Sequence, residues 1–265
     1  MTTITVRTQA GLDNALAGGA DTIIIDSPAG VSLKLGNSDS ATVRAYGSAT
    51  VRASGSATVR ASDSATVWAS GSATVEAYGS ATVEASDSAT VWAYDSATVR
   101  ASGSATVRAS DSATVWASKY VAVHLFSRKV TLAGGIVIDV TAMDLSDPQQ
   151  WCDYHGVTVT DGIAHVYKAV DQHYRSHHGA DYPPGSTPQA DDWNAEPHCG
   201  NGLHFGATPT KALRSAVTSI AEPRFLVCGV RLDEMVCLGD KIKARRVVVP
   251  CVEVNRSGDP VGGVA

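Results

Sequence analysis

The chain has no apolar run long enough to span a bilayer. Its first residues, Met1-Thr2-Thr3-Ile4-Thr5-Val6, lack the charged stretch and hydrophobic core of a signal peptide, so no leader and no membrane attachment are expected. An excess of basic charge is also missing. The net charge is −5, which gives no global attraction to nucleic acid and disfavours it as a partner. Cysteine is absent before Cys152, and the five present, Cys152, Cys199, Cys228, Cys237 and Cys251, include no Cys-x-x-Cys pair. An odd number without paired spacing argues against a disulfide framework or a zinc site and for a reduced, cytoplasmic setting. No metal and no cofactor are expected on these grounds.

What the chain does have is repetition. Ten octads run unbroken from Ser40 to Lys119, and every one opens Ser-Ala-Thr-Val. The unit is Ser-Ala-Thr-Val-x-Ala-[Ser/Tyr]-[Gly/Asp], closed by Lys in the last copy. Ala, Val and Ala at positions 2, 4 and 6 alternate with polar residues, the two-residue period of a strand. Thr and Val favour pleated backbone. Gly or Asp at position 8 suits a corner that needs positive φ. Each octad therefore reads as one short strand and one corner. A lone strand cannot bury its Ala-Val-Ala face, whereas coils stacked about 4.8 Å apart in a β-solenoid do.

Position 5 reads Arg44, Arg52, Arg60, Trp68, Glu76, Glu84, Trp92, Arg100, Arg108, Trp116. Two coil lengths compete. A three-sided, 24-residue coil of three octads stacks Arg52-Glu76-Arg100, Arg60-Glu84-Arg108 and Trp68-Trp92-Trp116 in separate columns. A two-sided, 16-residue coil of two octads pairs Arg60 with Glu76, Glu84 with Arg100, and Arg100 with Trp116 by cation–π contact. Ala-Val-Ala fills only a thin interior, and voids cost more than surface pairs contribute, so the 16-residue coil is favoured. The Trp, Arg and Glu side chains at position 5 face outward and are the binding candidates of this region.

Ala45-Tyr46-Gly47-Ser48-Ala49-Thr50 resembles the octads of bacterial ice-nucleation proteins, which run Ala-Gly-Tyr-Gly-Ser-Thr-x-Thr. The resemblance covers the ten octads and implies a β-solenoid. It also implies an ice-binding surface, but that family presents a Thr-x-Thr row. Here each octad has one Thr, as at Thr50 and Thr58, and the residue two places on is Arg, Glu or Trp. Thr as a good strand former on a solvated face accounts for the column without ice.

Residues 1–39 read as a cap, with strands at Thr3 to Val6 and Thr22 to Ile25 and a helix at Gln9 to Leu16. Residues 40–119 are the repeat. Residues 120–146, with strand character at Val121 to Phe126 and Val130 to Val140, read as final coils or a closing cap. Asp147-Pro148 marks a boundary, and 147–265 reads as a small α+β domain holding seven of the eight histidines. Its expected strands are Ala164 to Val170, Gly202 to Phe205, Phe225 to Val230 and Arg246 to Val254, with a helix after Thr208-Pro209. The overall expectation is a mostly β chain: a capped β-solenoid followed by a small α+β domain.

Gly202-Leu203-His204-Phe205-Gly206-Ala207-Thr208-Pro209-Thr210-Lys211-Ala212 resembles the strand-to-helix segment of ADP-ribosyltransferases, Gly-[Val/Ile]-Tyr-Phe-[Ala/Ser] followed by a turn and a helix. Val166-Tyr167-Lys168-Ala169 resembles the strand of that family bearing His or Arg. The resemblance implies NAD as substrate, His204 against nicotinamide, Lys168 on phosphate or ribose, and Glu253 orienting a ribose hydroxyl. The departures are His204 for Tyr, Lys168 for His or Arg, and Ala169 for Gly. A working site requires Lys168, His204 and Glu253 to meet in one cleft. Otherwise His204 is an ordinary half-buried strand residue and Glu253 lies on a solvated face.

His173, His177, His178, His198, Cys199 and His204 form a candidate metal cluster, but the segment reads instead as solvated loop, since Gly179 and Pro183-Pro184 interrupt any helix. Lys241-Ile242-Lys243-Ala244-Arg245-Arg246 is a basic run, read either as a phosphate grip through Lys243, Arg245 and Arg246 or as solvated surface. Tyr167-Lys168-Ala169-Val170, Tyr182-Pro183-Pro184-Gly185, Asp192-Trp193, Cys199 to Phe205 and Lys243-Ala244-Arg245-Arg246 also resemble a module of uncharacterised actinobacterial and phage proteins. That implies an origin, and a virion as an alternative location. The leading expectation is a non-enzymatic scaffold that meets a protein partner, or itself, through the solenoid and presents a C-terminal partner- or ligand-binding domain. A solenoid-borne ADP-ribosyltransferase is the alternative and an ice-binding surface the weaker one.

Overall fold

A computed structural model describes residues 2–38, 41–214, 220 and 222–261. The chain divides into two compact units, Met1–Ala142 and Met143–Ala265.

The first unit is a parallel β-solenoid with two faces. It opens with β1 (Thr3–Val6), α1 (Gln9–Ala17), β2 (Thr22–Ile25) and β3 (Ser32–Leu35). Thr8 caps α1 by accepting from the Gly11 N–H, and Leu12 and Ala15 turn its apolar side onto the core. Nine four-residue strands follow: β4 (Thr42–Ala45), β5 (Thr50–Ala53), β6 (Thr58–Ala61), β7 (Thr66–Ala69), β8 (Thr74–Ala77), β9 (Thr82–Ala85), β10 (Thr90–Ala93), β11 (Thr98–Ala101) and β12 (Thr106–Ala109). Then come β13 (Thr114–Leu125) and β14 (Thr131–Asp139). One face stacks β2-β4-β6-β8-β10-β12 and the other β3-β5-β7-β9-β11, with β13 wrapping from one to the other.

Each strand pairs with the strand two octads on, Val67 with Val83 and Val83 with Val99. The coil is therefore two octads long, and the 24-residue alternative is overturned. The reason is packing. The Ala and Val interior positions from Ala49 to Val115 are at most 5% exposed, so a thin two-sided coil leaves them no space to fill. The Trp68-Trp92-Trp116 column goes with it: Trp68 and Trp116 lie on one face and Trp92 on the other.

The corners need positive φ, which Asp63, Asp87, Asp95 and Asp111 adopt at 49 to 57° alongside the glycines. The Asp carboxylates also bind the coil below: Asp87 Oδ2 accepts from the Gly71 N–H at 2.9 Å and Asp95 Oδ2 from Gly79 at 2.9 Å. Position-1 serines add a second ladder, Ser72 and Ser88 each donating to a corner carbonyl at 2.8 Å. The last coil narrows at Gly134 and Gly135, where φ is 81 and 82°. A Cβ on Gly135 would sit within 3.0 Å of Val121 and Val123, so the glycine corner folds directly over the end of the core.

The second unit holds α2 (Pro148–His155), β15 (Val159–Thr160), β16 (Ile163–Val170), β17 (Leu203–Gly206), α3 (Pro209–Arg214), β18 (Arg224–Arg231), β19 (Met235–Leu238), β20 (Lys241–Ala244) and β21 (Val249–Val254). The sheet order is β19-β20-β17-β16-β18-β21, antiparallel, with β15 beside β16. Asp147-Pro148 opens α2, with Asp147 as N-cap and Pro148 in the first turn. Two expectations are corrected. The final strand starts at Val249 rather than Arg246. The basic run is β20 of a hairpin with β19 and is half interior, because Ile242, Lys243 and Ala244 are buried.

Candidate functional site

The two solenoid faces differ at position 7. On the face of β4 to β12 it is Tyr46, Ser62, Tyr78, Tyr94 and Ser110, and Tyr78 stacks on Tyr94 at 4.8 Å and 7°. The Tyr78 hydroxyl donates to Glu76 at 3.1 Å, and burial followed by the Glu76 charge pushes its pKa up to about 12. On the face of β5 to β13 position 7 is always serine: Ser54, Ser70, Ser86, Ser102, Ser118. Small side chains there leave a trough of about 1030 Å³ along the solenoid. Its wall is the position-5 row, Lys34, Arg52, Trp68, Glu84, Arg100 and Trp116.

Register sets the order of that wall. Arg52 lies over Trp68 at 4.8 Å and Arg100 over Trp116 at 5.0 Å, with Glu84 beside Arg100 in the pairing. Trp116 pairs with Ala133 on its far side and is 43% exposed. On the opposite face Arg60 bridges Glu76 at 2.9 Å, and Arg108 lies over Trp92 at 5.5 Å. Of the binding candidates, Arg52, Trp68, Arg100 and Trp116 share the trough, while Glu76 and Trp92 do not.

In the second unit, Lys168 pairs with Leu226, which pairs with Glu253, so these three share one side of the sheet. His204 pairs with Lys243 and lies on the other side, with Tyr167 opposite Gly206. Lys168 Nζ reaches the His204 carbonyl at 2.9 Å, not its ring, and lies over the Tyr182 ring at 5.1 Å. Burial holds the Lys168 pKa down to about 8. Burial, then the Lys241 charge, holds the His204 pKa down to about 4, so the imidazole is neutral near pH 7. Both Glu253 oxygens are engaged, by the Tyr174 hydroxyl at 2.8 Å and by Arg224 at 2.8 Å. Lys168, His204 and Glu253 thus do not face one cleft, the condition the transferase resemblance sets.

Within the basic run, Lys241, Lys243 and Arg246 have partners inside the unit. Lys243 is fully buried, donates to the Gly200 carbonyl at 3.3 Å and lies 5.8 Å from the Trp193 ring. Lys241 donates to Cys199 Sγ at 3.0 Å. Arg246 grips both oxygens of Glu234 at 2.8 and 2.9 Å, and Arg245 is exposed. Tyr167 packs against the Gly258 turn. Among the described residues no group of three or more His, Cys, Asp or Glu is placed to hold a metal, and no helix is long and apolar enough to cross a membrane.

Residues 164–258 match the family model of a domain of unknown function, DUF7666, about a third of the chain and all of it within the second unit. No curated protein and no solved structure matches the chain. The class defined by fold and surface is a β-solenoid followed by a small antiparallel domain similar to that family.

Proposed function

We propose that the protein is a non-enzymatic scaffold that meets a protein partner through the trough face of its solenoid, with the C-terminal domain as a second binding module. The observation that carries this reading is the trough itself, which runs along one face with two tryptophans and three cations in its wall. Repeat arrays bury their invariant positions and vary the outward ones, and aromatic and arginine side chains dominate interface energetics. The variable position supplies both here, beside a serine floor that leaves room for an incoming segment.

Replacing Trp68 and Trp116 together by Ser tests this. Binding to a partner, or self-association read by sedimentation, falls at least tenfold while the circular dichroism of the solenoid is unchanged. Replacing Trp92, on the opposite face, leaves binding intact. Equal loss from both replacements, or from neither, contradicts the assignment of the trough.

A further inference from the structure

The buried pair Cys228 and Cys251 is absorbed by nothing above. The two sit on adjacent strands, β18 and β21, where the pairing slips between Val227 and Gly229. Their sulfurs lie 3.1 Å apart and both side chains are 1% exposed. Neighbouring antiparallel strands place Cα atoms within the span that a disulfide bridges. β21 is the outermost strand of its sheet path, so a covalent link at the slip would pin the edge strand where ladder bonds are missing.

We infer that Cys228 and Cys251 form a reversible disulfide on exposure to a peroxide, an oxidant small enough to reach a buried pair, and that this oxidation rigidifies the C-terminal unit. One S–H donates to the other sulfur, either can be the donor, and the accepting sulfur is the one that gives up its proton and attacks. Its thiolate attacks one peroxide oxygen and the O–O bond breaks, giving a sulfenic acid and, once the departing hydroxide takes a proton, one water. The sulfur of the other cysteine then displaces the sulfenic oxygen as a second water. Both thiol protons leave in the two waters, peroxide is reduced by two electrons, and the thiols are oxidised to one S–S bond.

The other cysteines set the contrast. Cys152 and Cys237 are buried thiols pushed up to about 11 and 12 by burial, and Cys199 is exposed beside Lys241. The backbone of Cys251 is also fixed on both sides: its carbonyl accepts from the Gly185 N–H at 2.7 Å and its N–H donates to the Ser186 carbonyl at 2.9 Å. Closure therefore falls on the side chains rather than on a shift of the strand.

The experiment treats the full chain carrying C199S with hydrogen peroxide, followed by peptide mapping without reduction. The expected result is a mass lower by two hydrogens, a linked pair of peptides holding Cys228 and Cys251, and a melting temperature of the C-terminal transition raised by roughly 10 °C. Dithiothreitol reverses all three, and C251A abolishes them. Sulfinic or sulfonic acid at either residue without a link overturns the inference. So does a link between other cysteines, or no reaction under peroxide that fully oxidises Cys199 in the unsubstituted chain. The mapping needs no substitution at either buried position, so it stands even if C251A fails to fold. It is also independent of the scaffold reading, which rests on the other unit.

Discussion

Replacing Val83 by Ala probes the thin interior directly. Val83 is fully buried and stacks between Val67 and Val99. The change removes two carbons, worth about 1.6 kcal/mol of transfer free energy. It leaves roughly 50 Å³ of space, worth about 1.2 kcal/mol more if the coil does not collapse. The expected cost is therefore about 1.5 to 3 kcal/mol, the upper figure applying because backbone ladders on both sides hold the coil spacing. Val91, on the opposite face in an equivalent stack, should cost the same, and Thr82→Ala, on the outside, close to nothing. Amide hydrogen exchange of the peptides covering β7, β9 and β11 reads the change locally. Val83→Ala should speed exchange there about 10- to 150-fold at the lower and upper cost. A change under twofold, or an equal effect from Thr82→Ala, refutes the close-packed two-sided interior.

Stability of the C-terminal unit should depend on His204. Its folded pKa, about 4, lies below the reference value of 6.5, so the unfolded chain takes up the proton first. Stability is complete above pH 6.5 and is lost as the pH falls toward 4, by at most about 3 kcal/mol and less for the part of the ring open to water. Urea titrations at stepped pH check this, and His204→Gln should flatten the slope. At the end of the solenoid, a Cβ on Gly134 would overlap the Ala117 carbonyl, at a φ of 81°. Gly134→Ala should unfold the last coil, seen as loss of exchange protection in β14 with the inner coils unchanged.

The parts of the fold legible in the sequence are those governed by local alternation. The octads declare strand and corner, and Ala-Val-Ala declares a thin interior. What escaped was masked by neighbouring turn and charge signals or set by residues far apart in the chain. Ser32 to Leu35 alternates like the octads but follows the Pro28-Ala29-Gly30 turn, which hid it. Met235 to Ala244 is a hairpin about Gly239-Asp240, a turn signal obscured by the basic run. The burial of Lys243 depends on Trp193 and Gly200, both distant in sequence, and no local pattern encodes that cover. The trough was legible in principle: once the coil is two octads, position 7 sorts into an all-serine column and a tyrosine-bearing one. Lys168, His204 and Glu253 were chosen by motif, and motif does not specify which side of a sheet a residue faces.

The central claim, a two-sided coil of two octads, is tested most directly by paired cysteines in the C199S background. Thr82 and Thr98 are neighbours on adjacent parallel strands, about 4.8 Å apart, within disulfide range. Thr82 and Thr106 lie on opposite faces. Under mild oxidation the T82C/T98C chain should form an intramolecular link in high yield and the T82C/T106C chain none. A link in the second chain and not the first would establish a three-octad coil and contradict the account.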